Sequence, residues 1–401
     1  MKKKKVLFIM PSMFIGGAER SLIGLLESFD YSAYDVKLFL YRHEGEFIDY
    51  IPKKVHLLPE NKKYGTFDVP IRDLLFSSRW LFGCARILSK IAGSIHSKIK
   101  HEPKGIWMLM QYTSRFLIPL LPKIPGQYDL AIMFLGIGDV LAKKVDAKRK
   151  VTWNHTDYAT ICPDKRYDIS VFNKIDFIAS VSKLCTEQFL RIYPQMLGKA
   201  ITIENIISQD LLQMQANDET NEYDEHSNCT KLLSVGRFTE AKNFDNVPFI
   251  CKSLIEKGID VKWYIIGYGS DEEFIKGKIA EAKMEDNVIM LGKKTNPYPY
   301  MKNCDIYVQP SRYEGKCVAV REAQILNKPV IITNYATAAS QLIDGYDGII
   351  VPMDNEGCAN GIARVIADRS LQRSLIENTK KSDYTNSREV EKIYSMIEEA
   401  E

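Results

Sequence analysis

Short apolar runs alternate with longer helix-prone segments along this 401-residue sequence. Such an alternation is typical of parallel α/β units, in which buried strands are connected by covering helices. The runs comprise residues 6–10, 36–41, 55–58, 128–134, 150–153, 177–181 and 200–203 in the first half, and 232–235, 261–266, 288–291, 306–309, 330–333 and 348–351 in the second. The sequence therefore predicts an α/β protein with two doubly wound parallel sheets.

A polar and acidic stretch, residues 208–228, separates the two halves. Because it cannot bury much surface, it predicts a linker between a first domain of residues 1–207 and a second domain of residues 229–386. Residues 387–401 follow the last expected element and are helix-prone. Open parallel sheets bind ligands beyond the carboxyl ends of their strands, so we expect the active site in a cleft between the two domains.

The eight cysteines are scattered, without a Cys-x-x-Cys pair or a Cys/His cluster at zinc spacing. This arrangement favours buried thiols in a reducing compartment. The basic N-terminus is followed by an apolar run that is too short for a signal peptide and is better explained as a first strand. The sequence has no unbroken apolar run of about 18 residues, the length that a membrane-spanning helix requires. A cytoplasmic location is therefore expected.

Two acidic residues flank the start of a helix-like segment that follows the run 306–309. Glu314 precedes Gly315, and Glu322 lies two turns into the segment. A helix start after a glycine turn presents free N–H groups and a positive dipole end, which suits a phosphate. Glu314 could then accept hydrogen bonds from sugar hydroxyls, and Glu322 from vicinal ribose hydroxyls. Alternatively, Glu314 is an acid favoured by the helix dipole and Glu322 an ordinary surface residue.

Two further strand ends carry candidate ligand-binding residues. Arg237 and Lys242 leave the run 232–235 on a loop that enters a helix, where two cations could clamp a diphosphate and stabilise a leaving group. Taken alone, they are more simply explained as solvated loop residues. Gly16 and Gly17 follow the first strand and would let a ligand approach the backbone, but an ordinary tight turn is the default explanation.

His155 stands just past the run 150–153, where a polar residue that faces a cleft is expected, and Asp157 would extend a polar cluster there. A histidine at a strand end is more often structural than catalytic, so both interpretations stay open. The sequence contains no Asp-x-Asp pair to hold a divalent metal, and no Walker or Ser-His-Asp elbow motif. We therefore expect no metal, with charge neutralised by Arg237, Lys242 and a helix dipole.

Residues 71–123 contain nine Lys or Arg residues and two acidic residues, a net charge of +7, so the remainder carries −4 of the overall +3. Bulky apolar residues are interleaved with this charge, and a spacing of seven places Arg72, Arg79 and Arg86 near one helix face. The pattern favours basic amphipathic helices on an anionic membrane surface. Ordinary amphipathic helices that cover the first sheet are the alternative. Nucleic acid is not expected, since no recognition motif accompanies the charge.

The segment 232–352 is similar to retaining glycosyltransferases of family 4, which have the two-domain GT-B architecture. In the first half of the chain the resemblance rests on the glycine turn, His155 and the order of the strands. The motifs that carry it are Glu314-x7-Glu322-Ala323, Lys328-Pro329-Val330-Ile-Ile-Thr333 and Asp344-Gly345-x-x-Gly348-x-x-Val351-Pro352.

The resemblance implies transfer of a sugar from a nucleotide-diphosphate sugar to a hydroxyl of a glycan or lipid-linked acceptor, with retained anomeric configuration and without a metal or other cofactor. Arg237 and Lys242 would then grip the diphosphate, and the amides after Gly315 the β-phosphate. Glu322 would hold the ribose. The residues expected to contact the donor are Gly16, Gly17, Arg237, Lys242, Glu314, Gly315, Lys316, Cys317, Val318 and Glu322, and those expected to be catalytic are Glu314, which would hold the transferred sugar, His155, which would lie beside it, Arg237 and Lys242.

The resemblance also implies surface polysaccharide or glycoconjugate synthesis at the inner face of the membrane, and a helix of residues 387–401 that returns to the first domain. Two alternatives share the architecture: a nucleotide-sugar epimerase, and a non-catalytic nucleotide-sugar-binding partner of another transferase. The intact set of Arg237, Lys242 and the two glutamates argues against the non-catalytic alternative.

Some positions depart from the family pattern. Lys316 and Cys317 stand where the family commonly has an apolar residue and Gly or Pro, Gln341 stands where Glu is frequent, and Ile206 stands where Gly is common. We hypothesise that Lys316 places a cation near the sugar and favours an acidic or acetamido donor.

Overall fold

The computed structural model describes residues 3–14, 16–100, 106–155, 158, 161–219, 222–223, 229–314 and 317–398. The chain forms two compact units. The first comprises Met1–Ile206 together with Asn386–Glu401, and the second comprises Ile207–Thr385.

The described part of the first unit contains a seven-stranded parallel sheet in the order β3-β2-β1-β4-β5-β6-β7. Its strands are β1 (Lys4–Met10), β2 (Tyr34–Leu40), β3 (His56–Leu57), β4 (Gln127–Met133), β5 (Asp146–Asn154), β6 (Phe177–Ser180) and β7 (Ala200–Thr202). Its helices are α1 (Gly17–Glu27), α2 (Ile71–Leu75), α3 (Trp80–Lys100), α4 (Ile106–Leu117), α5 (Asp139–Lys144), α6 (Lys165–Phe172), α7 (Lys183–Ile192) and, from the end of the chain, α16 (Val390–Glu398).

The described part of the second unit contains a six-stranded parallel sheet in the order β10-β9-β8-β11-β12-β13. Its strands are β8 (Thr230–Val235), β9 (Val261–Ile266), β10 (Val288–Gly292), β11 (Ile306–Gln309), β12 (Val330–Thr333) and β13 (Ile349–Val351). Its helices are α8 (Gln209–Gln215), α9 (Val247–Glu256), α10 (Glu272–Ala282), α11 (Tyr298–Asn303), α12 (Val318–Ile325), α13 (Ala338–Gln341), α14 (Asn355–Ala367) and α15 (Arg369–Thr379).

Both sheets have the same topological break at their centre. The first strand of each unit is flanked by its second strand on one side and its fourth on the other, so the chain changes direction across the sheet at β1/β4 and at β8/β11. Loops that leave the carboxyl ends of such a strand pair diverge and open a crevice in which ligands bind. In the second unit, Ile306 pairs with Leu232 and Tyr307 with Leu233, which fixes the register of the two strands beneath that crevice. The expected doubly wound sheets are confirmed in both units.

Helix α16 completes the first unit, although it comes from the far end of the chain. Its residues Val390, Ile393, Met396 and Ile397 are buried. The ring of Tyr394 stacks on Tyr34 with centroids 4.6 Å apart, and its hydroxyl accepts a hydrogen bond from the Asp30 amide at 2.8 Å. The first unit is therefore discontinuous in sequence.

The segment 208–228 differs from the linker that its composition suggested. Helix α8 lies within it and buries Leu211 and Leu212. Further along, Tyr223 is buried, packs against Tyr264 at 4.5 Å between centroids, and donates to the carbonyl of Tyr300 at 2.7 Å. A few apolar residues on one face are enough to dock an otherwise acidic segment on the second unit.

The basic segment 71–123 also differs in part from its expectation, because its three arginines do not share one helix face. Arg72 lies on α2, Arg79 precedes α3, and Arg86 lies on α3, where it is partly buried and donates to the carbonyls of Thr66 and Val69. The turn at residues 76–79 interrupts the helical repeat. Within the described part of the chain, no helix is both long enough and apolar enough to cross a membrane.

Candidate active site

The loops after β8 and β11 meet because these two strands are neighbours. Lys242 follows β8 through a short 3-10 helix, and Glu314 follows β11. Their side chains form an ion pair with Nζ 2.5 Å from Oε1, and 18% of the Lys242 side chain and 11% of the Glu314 side chain are exposed. The structure thus brings together two of the predicted site residues that are 72 positions apart in sequence.

A second set of contacts fixes the same two loops to each other. Arg312 forms a bidentate ion pair with Asp245, with distances of 2.9 and 2.7 Å, and its backbone N–H donates to the carbonyl of Ala241 at 2.8 Å. Asn243 adopts a left-handed conformation, with φ of 58°, and its side-chain amide donates to the carbonyl of Pro310 at 2.9 Å. Bidentate arginine pairs restrict orientation as well as distance, so this frame holds the loops in one geometry.

Below Glu314, a chain of buried hydrogen bonds runs back into the sheet. The hydroxyl of Tyr307 donates to Gln309 Oε1 at 2.7 Å, Gln309 Nε2 donates to Ser311 Oγ at 2.9 Å, and Ser311 Oγ donates to Glu314 Oε1 at 2.7 Å. The hydroxyl of Thr337 holds the backbone carbonyl of Glu314 at 2.7 Å. Oε1 therefore receives two donors, and Oε2 has no hydrogen-bond partner among the described residues.

The charge states of Lys242 and Cys317 follow from their burial and from their neighbours. Burial acts to lower the pKa of Lys242, but the neighbouring Cys317 and Glu314 outweigh it and raise that pKa above the usual lysine value. Burial raises the pKa of the Cys317 thiol to about 11, although Lys242, whose Nζ lies 3.9 Å from Sγ, opposes this change. Near neutral pH, Lys242 is therefore a cation and Cys317 a neutral thiol.

Cys317 caps α12, and Gln341 holds it there. The backbone N–H of Cys317 donates to Gln341 Oε1 at 2.8 Å, and Gln341 Nε2 donates to the Cys317 carbonyl at 3.2 Å. Val318, the first residue of α12, is exposed, so the start of this helix is open to solvent. The predicted donor-binding residues Gly315 and Lys316 lie outside the described residues.

Glu322 is nearly fully buried on α12, and its carboxylate accepts a hydrogen bond from the hydroxyl of Tyr298 at 2.6 Å. A surface glutamate, the alternative left open by the sequence, does not describe it. Arg237 is exposed on the loop after β8, and its side chain makes no hydrogen bond or ion pair with another described residue, whereas its backbone carbonyl accepts from the Thr239 N–H at 3.0 Å. Its guanidinium is therefore available to an anion at this edge of the sheet.

In the first unit, His155 follows β5, where the sequence placed it. Its Nε2 lies 2.9 Å from the carbonyl oxygen of Phe134, which follows the neighbouring strand β4, so Nε2 carries the proton and donates. Burial lowers the pKa of His155 to about 4 despite this hydrogen bond. His155 is therefore neutral near pH 7, with Nδ1 as a hydrogen-bond acceptor. The predicted neighbour Asp157 lies outside the described residues.

The two glycines after β1 differ in what they allow. Gly17 begins α1 and has open space where a Cβ would lie, whereas a Cβ on Gly16 would stand 2.2 Å from Oε2 of Glu19. Glu19 thus folds back over the start of its own helix, and burial raises the pKa of its carboxyl group, with the Glu19 backbone and Arg20 opposing. A Cβ at Gly16 would displace only the end of the flexible Glu19 side chain, so the packing requires a glycine at neither position.

Sequence reasoning missed the groups that hold the predicted residues in place. Tyr298 and Ser311 bind the two glutamates, and Gln341 fixes the turn between them. Ser311 had a signal, since it stands three positions before Glu314, and Gln341 stands out only as a departure from the family pattern. No group of three or more His, Cys, Asp or Glu placed to hold a metal ion occurs within the described ranges.

Residues 216–382 match the model of the family described as glycosyl transferases group 1. This part of the chain is similar to group 1 glycosyltransferase domains. The matched residues include the Lys242–Glu314 pair, Cys317 and Glu322, so the second-unit site described above lies within the part of the chain that resembles this family. The sequence resemblance to GT-B glycosyltransferases is thereby confirmed, whereas the family 4 subtype is not decided by this match.

Two curated relatives align with parts of this chain. It is 27% identical over 188 residues to N-acetylgalactosamine-N,N'-diacetylbacillosaminyl-diphospho-undecaprenol 4-alpha-N-acetylgalactosaminyltransferase of Campylobacter jejuni, covering 46% of this chain and 48% of that protein. It is 30% identical over 149 residues to the capsular polysaccharide biosynthesis glycosyltransferase CapM of Staphylococcus aureus, covering 37% of this chain and 39% of that protein. The chain thus spans about half the length, or less, of these relatives.

Solved structures match nearly the whole chain. A glycosyltransferase from Rickettsia africae superposes with a TM-score of 0.62 at 16% identity over 100% of this chain and 99% of the other. HepE of Anabaena, solved in complex with UDP and glucose, superposes with a TM-score of 0.60 at 16% identity over 99% and 100%. At this identity the likeness concerns the fold, and it confirms the prediction of a GT-B protein with two Rossmann-like domains.

Proposed function

We propose that this protein is a metal-independent, retaining glycosyltransferase of family 4 that moves a sugar from a nucleotide-diphosphate sugar to a hydroxyl group. The Lys242–Glu314 ion pair at the β8/β11 crevice carries the proposal. It sets a buried cation beside a carboxylate that still has an unpartnered oxygen among the described residues, which matches a phosphate next to a polyol. The relatives described as glycosyltransferases support the same conclusion.

In the proposed donor complex, Lys242 and Arg237 neutralise the diphosphate. The leaving nucleotide gains negative charge as the glycosidic bond breaks, and two fixed cations stabilise that charge without a metal. The backbone N–H groups at the start of α12 add the positive end of a helix dipole. Retention then follows if the acceptor attacks from the face that the nucleotide leaves, with the departing phosphate taking the acceptor proton.

The sugar and the ribose are assigned to the two glutamates. Glu314, oriented by Ser311 through Oε1, accepts hydrogen bonds from sugar hydroxyls through Oε2. Glu322, oriented by Tyr298, accepts from the ribose hydroxyls. His155, which is neutral and has Nδ1 as an acceptor, serves as a hydrogen-bonding residue for the sugar rather than as a cation.

We further propose a glycan or lipid-linked acceptor, an anionic membrane surface as the place of reaction, and a role in surface polysaccharide or glycoconjugate synthesis. Support comes from the two curated relatives, one named for transfer to a diphospho-undecaprenol-linked sugar and one for capsular polysaccharide biosynthesis. HepE, which was solved with UDP, supports a uridine nucleotide as the first donor class to test.

A panel of nucleotide sugars tested by thermal shift, with and without EDTA, examines the donor part of this proposal. A bound ligand raises the melting temperature according to its affinity. We expect at least one UDP-sugar to stabilise the protein equally in both conditions, and Lys242→Met to lose that shift. Lys257→Met, which breaks the surface ion pair of Lys257 and Glu356, is the matched control and should keep it. No shift with any donor would contradict the proposal.

Product analysis separates the three candidate activities. A transferase releases nucleotide and glycosylates an added lipid-linked or oligosaccharide acceptor. An epimerase alters the sugar or releases nucleotide without a glycosylated acceptor. A non-catalytic binder leaves the donor unchanged while still giving the thermal shift.

A further inference from the structure

Helix α3 exposes an apolar stripe on the side that faces solvent. Six large apolar side chains on it are between 37% and 53% exposed, and Phe76, in the turn that leads into the helix, is 86% exposed. The six residues are Trp80, Leu81, Ile87, Leu88, Ile91 and Ile95. At 100° per residue they fall within an arc of about 120°. Contiguous exposed apolar surface of this kind marks an interaction site.

The opposite side of α3 is already occupied. Phe82 and Ala85 belong to the buried core of the first unit, and Ser89 is buried against α4, where its hydroxyl lies 3.4 Å from that of Thr113. Further along, His96 Nδ1 and the hydroxyl of Tyr112 share a hydrogen bond at 2.7 Å. Helix α3 is therefore held in the first unit by its opposite side, and the apolar stripe is not needed for that packing.

Helix α4, on which α3 rests, is itself fastened to α6. Gln111 is fully buried and donates to Asp168 Oδ1 at 2.6 Å, while its own Oε1 accepts from the backbone of Asp164 at 2.7 Å. Arg115 pairs with the Asp164 carboxylate at 2.5 Å. This polar network gives α3 a firm support, so the stripe is presented in a fixed orientation to whatever covers it.

Charge decides which partner fits the stripe. Between residues 71 and 98 the sequence has five basic residues and a single acid, Asp73. Arg72, Lys90 and Lys98 are exposed, and Lys98 lies within the arc of the stripe itself. A second copy of this chain would oppose these cations with identical cations, at an electrostatic cost. An anionic lipid surface would accept both the apolar side chains and the surrounding positive charge.

We propose that α3 lies in the plane of an anionic bilayer, with Trp80, Leu88 and Ile95 among the side chains inserted at the acyl boundary and Lys90 and Lys98 at the headgroups. The helix has 21 residues. The attachment is mainly hydrophobic, and it concerns α3 rather than the whole of residues 71–123, since α4 is largely packed within the unit. This attachment rests on the membrane part of the proposed function and names the helix that inserts, and vesicle binding needs no donor, so its failure would leave the donor and transfer proposals untouched.

Co-sedimentation of the full-length protein with vesicles tests the proposal. The vesicles contain phosphatidylcholine alone or mixed with an equal amount of phosphatidylglycerol, at low and high salt. We expect binding to the mixed vesicles that is weakened but not abolished by salt. The variant Leu88→Gln/Ile95→Gln should bind at least about tenfold more weakly at both salt concentrations, since it replaces two inserted apolar side chains by polar ones. Lys90→Gln/Lys98→Gln should bind more weakly at low salt only.

The matched control is Leu184→Gln/Leu197→Gln, which removes two exposed leucines of the same unit outside the stripe and should bind like the parent. Unchanged melting temperatures show that each variant is folded. Trp80 gives a second readout, because it is exposed, whereas Trp153 and Trp263 are buried and Trp107 is partly buried against the core. Its fluorescence should shift to shorter wavelength on the vesicles, and Trp80→Phe should lose that shift.

Equal vesicle binding by the parent and Leu88→Gln/Ile95→Gln would overturn the proposal. So would a concentration-dependent dimer, measured by sedimentation velocity, that this variant abolishes, because the stripe would then be covered by a second copy.

Discussion

The side-chain amide of Gln341 contacts both backbone polar groups of Cys317, accepting from its N–H at 2.8 Å and donating to its carbonyl at 3.2 Å. Only a side chain with one acceptor and one donor in this spacing satisfies both groups. A glutamate, frequent at this position in the family that the sequence resembles, would satisfy the N–H and repel the carbonyl.

Replacing Gln341 by Glu should therefore loosen the turn before α12. We expect the free energy of unfolding to fall by about 1–2 kcal/mol, because the buried Cys317 carbonyl loses its donor. The nucleotide-induced thermal shift should also shrink. Urea denaturation and the donor panel measure the two effects. As a control, Gln372→Glu alters a buried amide on α15 that donates to the Val365 carbonyl at 2.7 Å, and it should lower stability without changing the nucleotide shift.

Lys242 and Glu314 should be coupled more strongly than a surface pair. Lys242→Met leaves the largely buried Glu314 carboxylate without its cation, which we expect to cost about 2–3 kcal/mol in the free energy of unfolding. The coupling energy of the exposed pair of Lys257 and Glu356 should be about 0–1 kcal/mol. Double-mutant cycles with Glu314→Gln and Glu356→Gln measure both couplings by urea denaturation. Equal coupling energies would show that burial does not strengthen the site pair.

Tyr298 should act on ribose recognition through Glu322. Tyr298→Phe removes the donor that orients the Glu322 carboxylate, so discrimination between UDP and 2′-deoxy-UDP should decrease by about five- to tenfold. Isothermal titration of both nucleotides gives the ratio of their Kd values. Tyr384→Phe removes a comparable buried hydrogen bond, to Asp347 Oδ2 at 3.0 Å, and should leave the ratio unchanged. A ratio that falls in both variants would point to a general loosening of the unit.

His155 should make stability depend on pH. Its pKa falls from the ordinary 6.5 to about 4 in the folded protein, chiefly through burial. Between pH 4 and pH 6.5 the His155 side chain binds a proton in the unfolded chain but not in the folded chain. The stability that neutral His155 contributes is therefore complete above about pH 6.5 and is lost as pH falls towards 4. His155→Gln keeps a donor for the Phe134 carbonyl and cannot titrate.

Between pH 7 and pH 5, the free energy of unfolding of the parent should therefore fall by about 1–2 kcal/mol more than that of His155→Gln, as measured by urea denaturation. Other titrating groups cancel in this comparison. Burial raises the pKa of Asp168 to about 7, although its hydrogen bonds from Tyr193 and Gln111 oppose this, and it contributes the opposite slope in both proteins. Parallel pH profiles would contradict the expected low pKa of His155.

The sheets could be predicted because buried strands depend on local sequence. Strands buried on both faces are continuous apolar runs, and each predicted run coincides with a strand to within a few residues. Loops after strands carry ligands in such folds, so the place of Arg237, Lys242 and Glu314 after β8 and β11 makes them candidates, and their role in binding a donor stays a prediction.

What could not be predicted depends on register and packing between distant segments. Tyr298 meets Glu322 across 24 residues, and Gln341 meets Cys317 across the same separation, and neither distance follows from composition. The segment 208–228 was expected to be a linker because its acids outnumber its apolar residues. The few apolar side chains that it has, including Tyr223, find a buried surface on the second unit.

Helix α16 has a consequence for the order in which the chain folds during synthesis. The second unit is one continuous stretch, Ile207–Thr385, and it emerges from the ribosome whole. The first unit emerges earlier, but Phe29 and Tyr34 lack their aromatic partner Tyr394 until residues 386–398 have been translated. The unit that is made first is thus the last to be completed, which reverses the usual succession of domains along a nascent chain.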